Sequence, residues 1–397
     1  MSELQKDVNG SKMERGYVTK DTTQLAYRLN DFGLRLYKAL PTGGNCFLSP
    51  MSIAMVLAAL MEGAQGDTRA ELAELLGVAA GEGSSRRMAT LLDALTEQSD
   101  HDAGVTLRVA SGLFVRSGVP FRSVFQQVLE ATHGTDLMAL DFDRAEDAAA
   151  RVNRWVSDRT QERINQIVYR GHITPSTRLI LASAVYFVAQ WRRAFRPDDT
   201  RRMPFCLLPG SAPATVDVSM MQQVESLAVM TDPRGFSAVR IPYRSMSMSV
   251  LLPDEGRFLE VHRLLDAQFI ADIDRQLQPT KVALALPRFE LRWDGDLRDA
   301  VRNIGLDLTL DPQRADFRGV SDDPSGVFLS NLLHAAHVRV NEAGTEAAAT
   351  ADMVTLGRAP DRRPPLPVSI NRPFFFVIHD ERTHAIVFIG RVINPMD

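Results

Sequence analysis

Ten residues near the C-terminal end, Glu342-Ala-Gly-Thr-Glu-Ala-Ala-Ala-Thr-Ala351, constrain the fold of this chain more than any other stretch. They follow an apolar run with strand character and precede a loop rich in Pro and Arg. Composition alone favours an Ala-rich helix or a surface loop, since Ala is the best helix former and a poor strand former. Sorted by parity as a strand, the segment has two unlike faces. Thr345, Ala347, Ala349, Ala351 and Met353 lie on one, and Glu346, Ala348, Thr350 and Asp352 on the other. Both charges share a face, and the opposite face is small and uncharged. That pattern suits a segment that slides between two existing strands and faces a core.

At 397 residues the length alone suggests two or three domains. No Gly/Ser tract, charge block or low-complexity spacer divides the chain, and the Pro cluster from Ala359 to Pro367 sits too near the end to separate domains. The reading is a flexible tail over residues 1–20 and one large domain over 21–397. A hydrophobic content of 45% with 24% charged residues can supply its core.

Leu25, Leu29, Phe32, Leu36 and Leu40 recur at helical spacing and mark an amphipathic helix. Ser49 followed by Pro50 is an N-cap with Pro at the first helical position. The helix it opens, through Met61, is apolar on all sides and is expected to be buried. Thr68 and Glu71 fit a capping box, and Gly77 fits the end of that helix. Strands are expected over 104–116, 135–142, 178–191, 280–295 and 326–341, several short ones over 213–255, and a helix over 144–167. A hairpin is expected over 368–378 and 383–393. Both element types are mixed without regular alternation, which indicates α+β.

A net charge of −4 gives no reason to expect nucleic acid or a membrane surface as partner. The Arg192-Arg193 and Arg201-Arg202 pairs read as solvated surface. Cys46 and Cys206 are too few for a zinc site and too far apart in sequence to be read as a disulfide, and a buried free thiol is expected at Cys46. The first twenty residues lack the apolar core of a secretory leader. No Gly-x-Ser-x-Gly, His-Glu-x-x-His or phosphate-loop spacing occurs, so neither an enzyme nor a metal or cofactor site is expected.

The hinge stretch Glu342, Gly344, Thr345, Glu346, Ala347, Ala348, Ala349, Thr350 resembles that of the inhibitory serpins, protease inhibitors that work by loop insertion. Asn45 to Ile53, Gly63 to Thr68, Val152 to Val156 with Thr160, Ala184 to Phe187 with Trp191, Leu286 to Phe289, Asn371 to Phe374 and Phe388 to Gly390 are similar to family segments in the family order. The resemblance implies a single-domain α+β fold with a large mixed sheet, two smaller sheets, about nine helices and an exposed reactive loop. It implies a monomeric inhibitor without cofactor that traps a serine protease covalently. Family spacing carried from Glu342 ends at Arg358, which makes Arg358–Ala359 the reactive bond, with Arg362–Arg363 the second choice. An Arg there suits the acidic pocket of a trypsin-like protease. Ser49, Ser52, Ser183, Trp191 and His334 fall where the main sheet opens, with a switch role implied for His334. Three positions depart from the family pattern: Ser183 replaces an asparagine, Ala335 a lysine and Glu162 a glycine. By family analogy the protein is extracellular, although the sequence leaves an intracellular form open. The alternative is a non-inhibitory serpin that binds or chaperones.

Overall fold

The α+β architecture follows from how two sheets bury one all-apolar helix. The computed structural model describes residues 20–80, 104–132, 134–323, 326–345 and 364–397, with a few positions of a helix between 87 and 95. The first sheet is built from β2 (Val105–Arg116), β3 (Asp136–Leu140), β4 (Leu179–Gln190), β10 (Phe289–Asp296), β11 (Leu329–Asn341) and the two-residue β12 (Gly344–Thr345), in the order β10-β11-β12-β4-β2-β3. The second joins β1 (Cys46–Leu48), β5 (Arg201–Cys206), β6 (Thr215–Asp232), β7 (Phe236–Pro242), β8 (Met246–Pro253), β9 (Gln278–Pro287), β13 (Leu366–Ser369), β14 (Phe374–Asp380) and β15 (Ile386–Val392). The two smaller sheets of the expectation share the 18-residue β6 and form one hydrogen-bonded array.

Eight α-helices are bounded among the described residues: α1 (Lys20–Lys38), α2 (Pro50–Gly63), α3 (Gly66–Leu76), α4 (Ser123–Thr132), α5 (Ala145–Arg159), α6 (Phe258–Leu264), α7 (Ala267–Gln276) and α8 (Arg298–Asn303). Ser49 caps α2 as its sequence indicates, its side chain accepting from the Ser52 amide at 3.3 Å. The helix touches β2 and β4 of one sheet and β15 of the other, which is why it has no polar stripe. A run of aromatic contacts crosses the same core: Phe47 to Phe388 at 4.9 Å, Phe388 to Phe187 at 5.2 Å, Phe187 to Tyr243 at 5.7 Å and Tyr243 to Trp191 at 4.2 Å. Each fully buried ring contributes about 2–3 kcal/mol through its area alone. On its other face the six-stranded sheet packs against α5, where Trp155 meets Phe114 edge-on at 5.1 Å and donates to Asp136 at 2.7 Å.

Several boundaries differ from the sequence reading for physical reasons. The 280–295 run is two strands, because the chain leaves one sheet at Pro287 and enters the other at Phe289. Thr68 and Glu71 form no capping box. They lie inside α3 and serve the 307–316 segment: the Glu71 carboxylate accepts from the Asp307, Leu308 and Thr309 amides, and the Thr68 hydroxyl from the Asp316 amide. The helix expected over 144–167 stops at Arg159. Ile164, Ile167 and Val168 prolong its apolar pattern from a turn, not a helix, and still enter the core beneath α5.

Gln161 and Glu162 make that turn with φ of 52° and 61°. Glu162 therefore occupies the left-handed region that glycine accepts at no steric cost, where an L residue loses about 1–2 kcal/mol. Glu162→Gly is expected to raise stability by about 1 kcal/mol. A urea midpoint that does not move upward rejects this account of the turn.

Candidate functional site

β11 ends at Asn341, and the chain reverses through Glu342 and Ala343. Gly344 and Thr345 then run antiparallel to both neighbours, with Thr345 opposite Val340 on β11 and Ala189 on β4. Hydrogen bonds from both sides hold the reversal. The Asn341 side chain accepts from the Ala343 amide at 3.0 Å, and its carbonyl accepts from Trp191 Nε1 at 2.9 Å. The Trp191 and Phe195 amides donate to the Ala343 and Glu342 carbonyls at 3.1 and 2.8 Å. Gly344 has φ of 144°, and a Cβ there would stand 2.1 Å from the Ala189 carbonyl oxygen. Thr345 is fully buried and shares a hydrogen bond of 2.9 Å with the Tyr243 hydroxyl. Tyr243 in turn lies flat on Trp191, 6° from parallel.

Glu342 fixes the turn from the side. Its carboxylate accepts from Arg288 Nε at 2.7 Å and from the Thr200 hydroxyl at 2.5 Å. Burial alone would raise its pKa, but the hydrogen bonds from Arg288 and Thr200 outweigh burial and hold it below the usual glutamate value. A cleft of about 560 Å³ borders the turn, lined in part by Phe195, Pro197, Arg288, Glu290, Arg339 and Glu342. Glu290 bonds His337 at 3.0 Å and Arg339 at 2.7 Å. These contacts overcome burial and set its pKa at about 2.

Below Thr345, β4 and β11 pair directly and in parallel, with Ser183 opposite His334. Both side chains are fully buried and both turn to the start of α2. His334 Nε2 accepts from the Ser49 amide at 3.1 Å, so the ring proton sits on Nδ1. The Ser183 hydroxyl donates to Ser52 Oγ at 2.9 Å, and Ser52 Oγ to the Ser49 carbonyl at 3.1 Å. With serine at 183 the two strands are tied separately to one helix end. Ala335 and Ala184 face each other beneath α5, and Ala335 is 2% exposed, so no lysine fits at 335 without displacing the helix.

Glu342, Gly344, Thr345 and Trp191 thus meet in one cluster, and Ser49, Ser52, Ser183 and His334 in a second. Glu346, Ala347, Ala348, Ala349 and Thr350 and the bond Arg358–Ala359 lie outside the described residues. Three members of the hinge seat escaped sequence reading. Arg288 sits inside Leu286 to Phe289, a segment noted only for its likeness to the family, whereas Thr200 and Tyr243 carry no local signal. Among the described residues no group of His, Cys, Asp and Glu has the arrangement to hold a metal ion, and no helix is long and apolar enough to cross a membrane.

Two predictions follow from this geometry. Gly344→Ala cannot be accommodated beside Ala189 and is expected to lower native stability by about 2 kcal/mol or more; an unchanged urea midpoint would show that the seat is loose. Burial drives the pKa of His334 from 6.5 down to about 3. The folded form therefore stays neutral while the unfolded chain takes up a proton, so this stability is full above pH 6.5 and drains away as pH falls toward 3. His334→Gln keeps an acceptor for the Ser49 amide but does not titrate. The loss of melting temperature between pH 7.5 and 5 should shrink in the variant, although not vanish, because His262 and His379 are also held down, at about 4 and 3.

Comparison with known proteins agrees with this architecture. The family model described as Serpin (serine protease inhibitor) matches residues 27–395. An uncharacterised serpin-like protein of Thermococcus kodakarensis is 32% identical over 375 residues, covering 93% of this chain and 85% of that protein. Serpin48 of the insect Tenebrio molitor superposes with a TM-score of 0.84 at 23% identity, over 95% of this chain and all of that structure. Human thyroxine-binding globulin in complex with thyroxine gives 0.84 at 24% identity, over 94% and 99%. The chain belongs to the serpin family.

Proposed function

We propose that the protein is an irreversible suicide-substrate inhibitor of trypsin-like serine endopeptidases, cleaved at Arg358–Ala359. Members of the family are generally protease inhibitors rather than enzymes. The observation that carries the reading is β12, two residues already seated between β4 and β11 in a register common to both. Antiparallel pairing keeps the sum of partner numbers constant. Continued downward, the register brings Ala351 opposite both Ser183 and His334, Thr355 opposite Leu179 and Leu356 opposite Leu329. Both strand partners agree on Ala351. Arg358 would then emerge just past the far edge of the sheet, at the opposite pole from the hinge.

The attacking serine hydroxyl adds to the Arg358 carbonyl, the bond to the Ala359 nitrogen breaks, and the protease is left as an acyl ester on Arg358. The peptide after the cut keeps its place through β13, which pairs with β9. The freed segment replaces one parallel junction by two antiparallel ones, a net gain of one ladder. A dozen added pairings at about 1 kcal/mol each give on the order of 10 kcal/mol. Serpin loop insertion is itself a type case of strand addition and stored strain, so the magnitude is generic. Thr345 sets the inward face. Ala347, Ala349 and Ala351 continue it and meet little steric resistance, which favours insertion over deacylation.

Mixing the protein with trypsin should give a complex that survives denaturing electrophoresis, with a released peptide beginning at Ala359. Turnover of the chain as a plain substrate, with no covalent complex, would favour a non-inhibitory role. Thr345→Arg places a charge where the side chain is fully buried and is expected to convert inhibitor into substrate. Stoichiometric trapping by that variant would overturn the assignment of faces.

A further inference from the structure

The two arginine pairs that read as solvated surface in sequence belong to one basic segment beside the hinge. Residues 192–202 hold five arginines, Arg192, Arg193, Arg196, Arg201 and Arg202, and two aspartates, Asp198 and Asp199, in a chain whose net charge is −4. All five arginines are exposed. Two have acidic partners: Arg192 reaches Glu381 at 3.4 Å and Arg196 reaches Asp199 at 3.9 Å. The other three donate to backbone carbonyls, Arg193 to Val224, Arg201 to Asp198 and Thr200, and Arg202 to Asp217. Those carbonyls fix the side chains but bring no net negative charge. Arg192 and Arg193 also act on Glu225, yet burial outweighs them there and raises its pKa. The segment therefore keeps an excess of positive charge facing solvent.

Its position gives that charge a use. On one side the segment wraps the hinge, through the Phe195 amide to the Glu342 carbonyl and the Thr200 hydroxyl to the Glu342 carboxylate. On the other it nears the strand by which the chain returns. Arg193 holds the Val224 carbonyl, Val224 lies opposite Ala283 on β9, and Ala283 lies opposite Pro367 on β13. Two strand spacings, about 10 Å, separate the ends of that row. Val224 is 47% exposed and adds apolar contact beside the charge. A protease held at Arg358, eight residues before Leu366, is tethered within about 28 Å of β13. A folded chain of trypsin's size is about 40 Å across, so its surface around the active site reaches the basic segment. A long polyanion favours an unbroken cationic track, and Asp198 and Asp199 interrupt this one. Paired guanidinium forks suit separate carboxylates on a folded surface.

We propose that Arg193, Arg201 and Arg202 form a docking surface for an acidic face of the target protease and steer its encounter with the reactive loop. The proposal rests on the reading of Arg358 as the reactive bond. The test compares an anionic with a cationic trypsin, which share a preference for arginine and differ in surface charge. The readout is the second-order rate constant for cleavage at Arg358, each divided by that enzyme's rate on a short Arg peptide. It reports encounter whether the protease is then trapped or released. At about 0.05 M salt the anionic enzyme should lead about tenfold, and the lead should shrink toward unity at about 0.5 M. Arg201→Glu with Arg202→Glu should remove the lead, and Arg193→Glu alone should reduce it about threefold. The same change in net charge on α5, Arg151→Glu with Arg154→Glu, should keep it. Cleavage with the charge preference but no covalent complex would sink the inhibitor reading and leave this surface standing; trapping without the preference would do the reverse. Resistance of the loop to both enzymes would overturn both. A lead kept by the Arg201 and Arg202 variant, or lost equally in the α5 variant, would also overturn the proposal. So would heparin that accelerates both enzymes alike and only while Arg201 and Arg202 are present, since it would assign the surface to polyanions.

Discussion

The parallel junction between β4 and β11 is the contact on which the rest of the structure turns. The other long junctions of the six-stranded sheet, β10 with β11 and β2 with β4, are antiparallel. Parallel ladders have slanted bonds and are slightly weaker per residue. Of the long junctions the central one is thus the weakest per residue, the only other parallel pair in this sheet being the short β2–β3 edge, and both central strands have antiparallel partners on their outer sides. Separating β4 from β11 leaves two intact halves, each with a free edge. The chain that could fill both edges begins at the top of that same junction.

The ties at the middle of the junction fit such a separation. The His334 and Ser183 side chains each bond the first turn of α2, and the His334 ring also meets the Ser183 backbone across the junction. In the register proposed above, Ala351 arrives between them with its methyl on the α2 side. It brings no polar group that competes for Ser49 or Ser52. The contact of the His334 ring with the Ser183 backbone runs directly between the strands and would have to break outright. Ties to a third element need only lengthen and re-form as the strands move apart around it.

Much of this was legible in the sequence, and what was not has definite causes. The burial of α2 follows from its unbroken apolar run, and its cap from the Ser49-Pro50 pair. Of the face expected to turn inward only Thr345 is described, and it is fully buried; Ala347, Ala349, Ala351 and Met353 lie outside the described residues. The clamp on Glu342 was not legible. Thr200 and Arg288 reach it from 142 and 54 residues away, and no local pattern encodes such a meeting. Thr68 and Glu71 misled for the opposite reason. They have capping-box spacing, but tertiary partners over 307–316 captured both side chains.

The clamp and the insertion do not compete. Glu342 and Ala343 precede the segment that would move, and their bonds to Arg288, Thr200, Trp191 and Phe195 are already those of a strand entering the sheet. Insertion as proposed would therefore require no release at the hinge. The costly step in adding a strand is the first pairing, which must close a loop before any ladder exists to reward it. That step is complete in the native chain, since Thr345 is paired on both sides. Each later residue adds next to a pair already made, and the entropy lost per step is that of one residue rather than of a loop. A seat that only restrained the hinge would slow trapping. A seat in register with both strands works as a fixed nucleus, and the speed of insertion then depends on how readily the β4–β11 pairs below it give way.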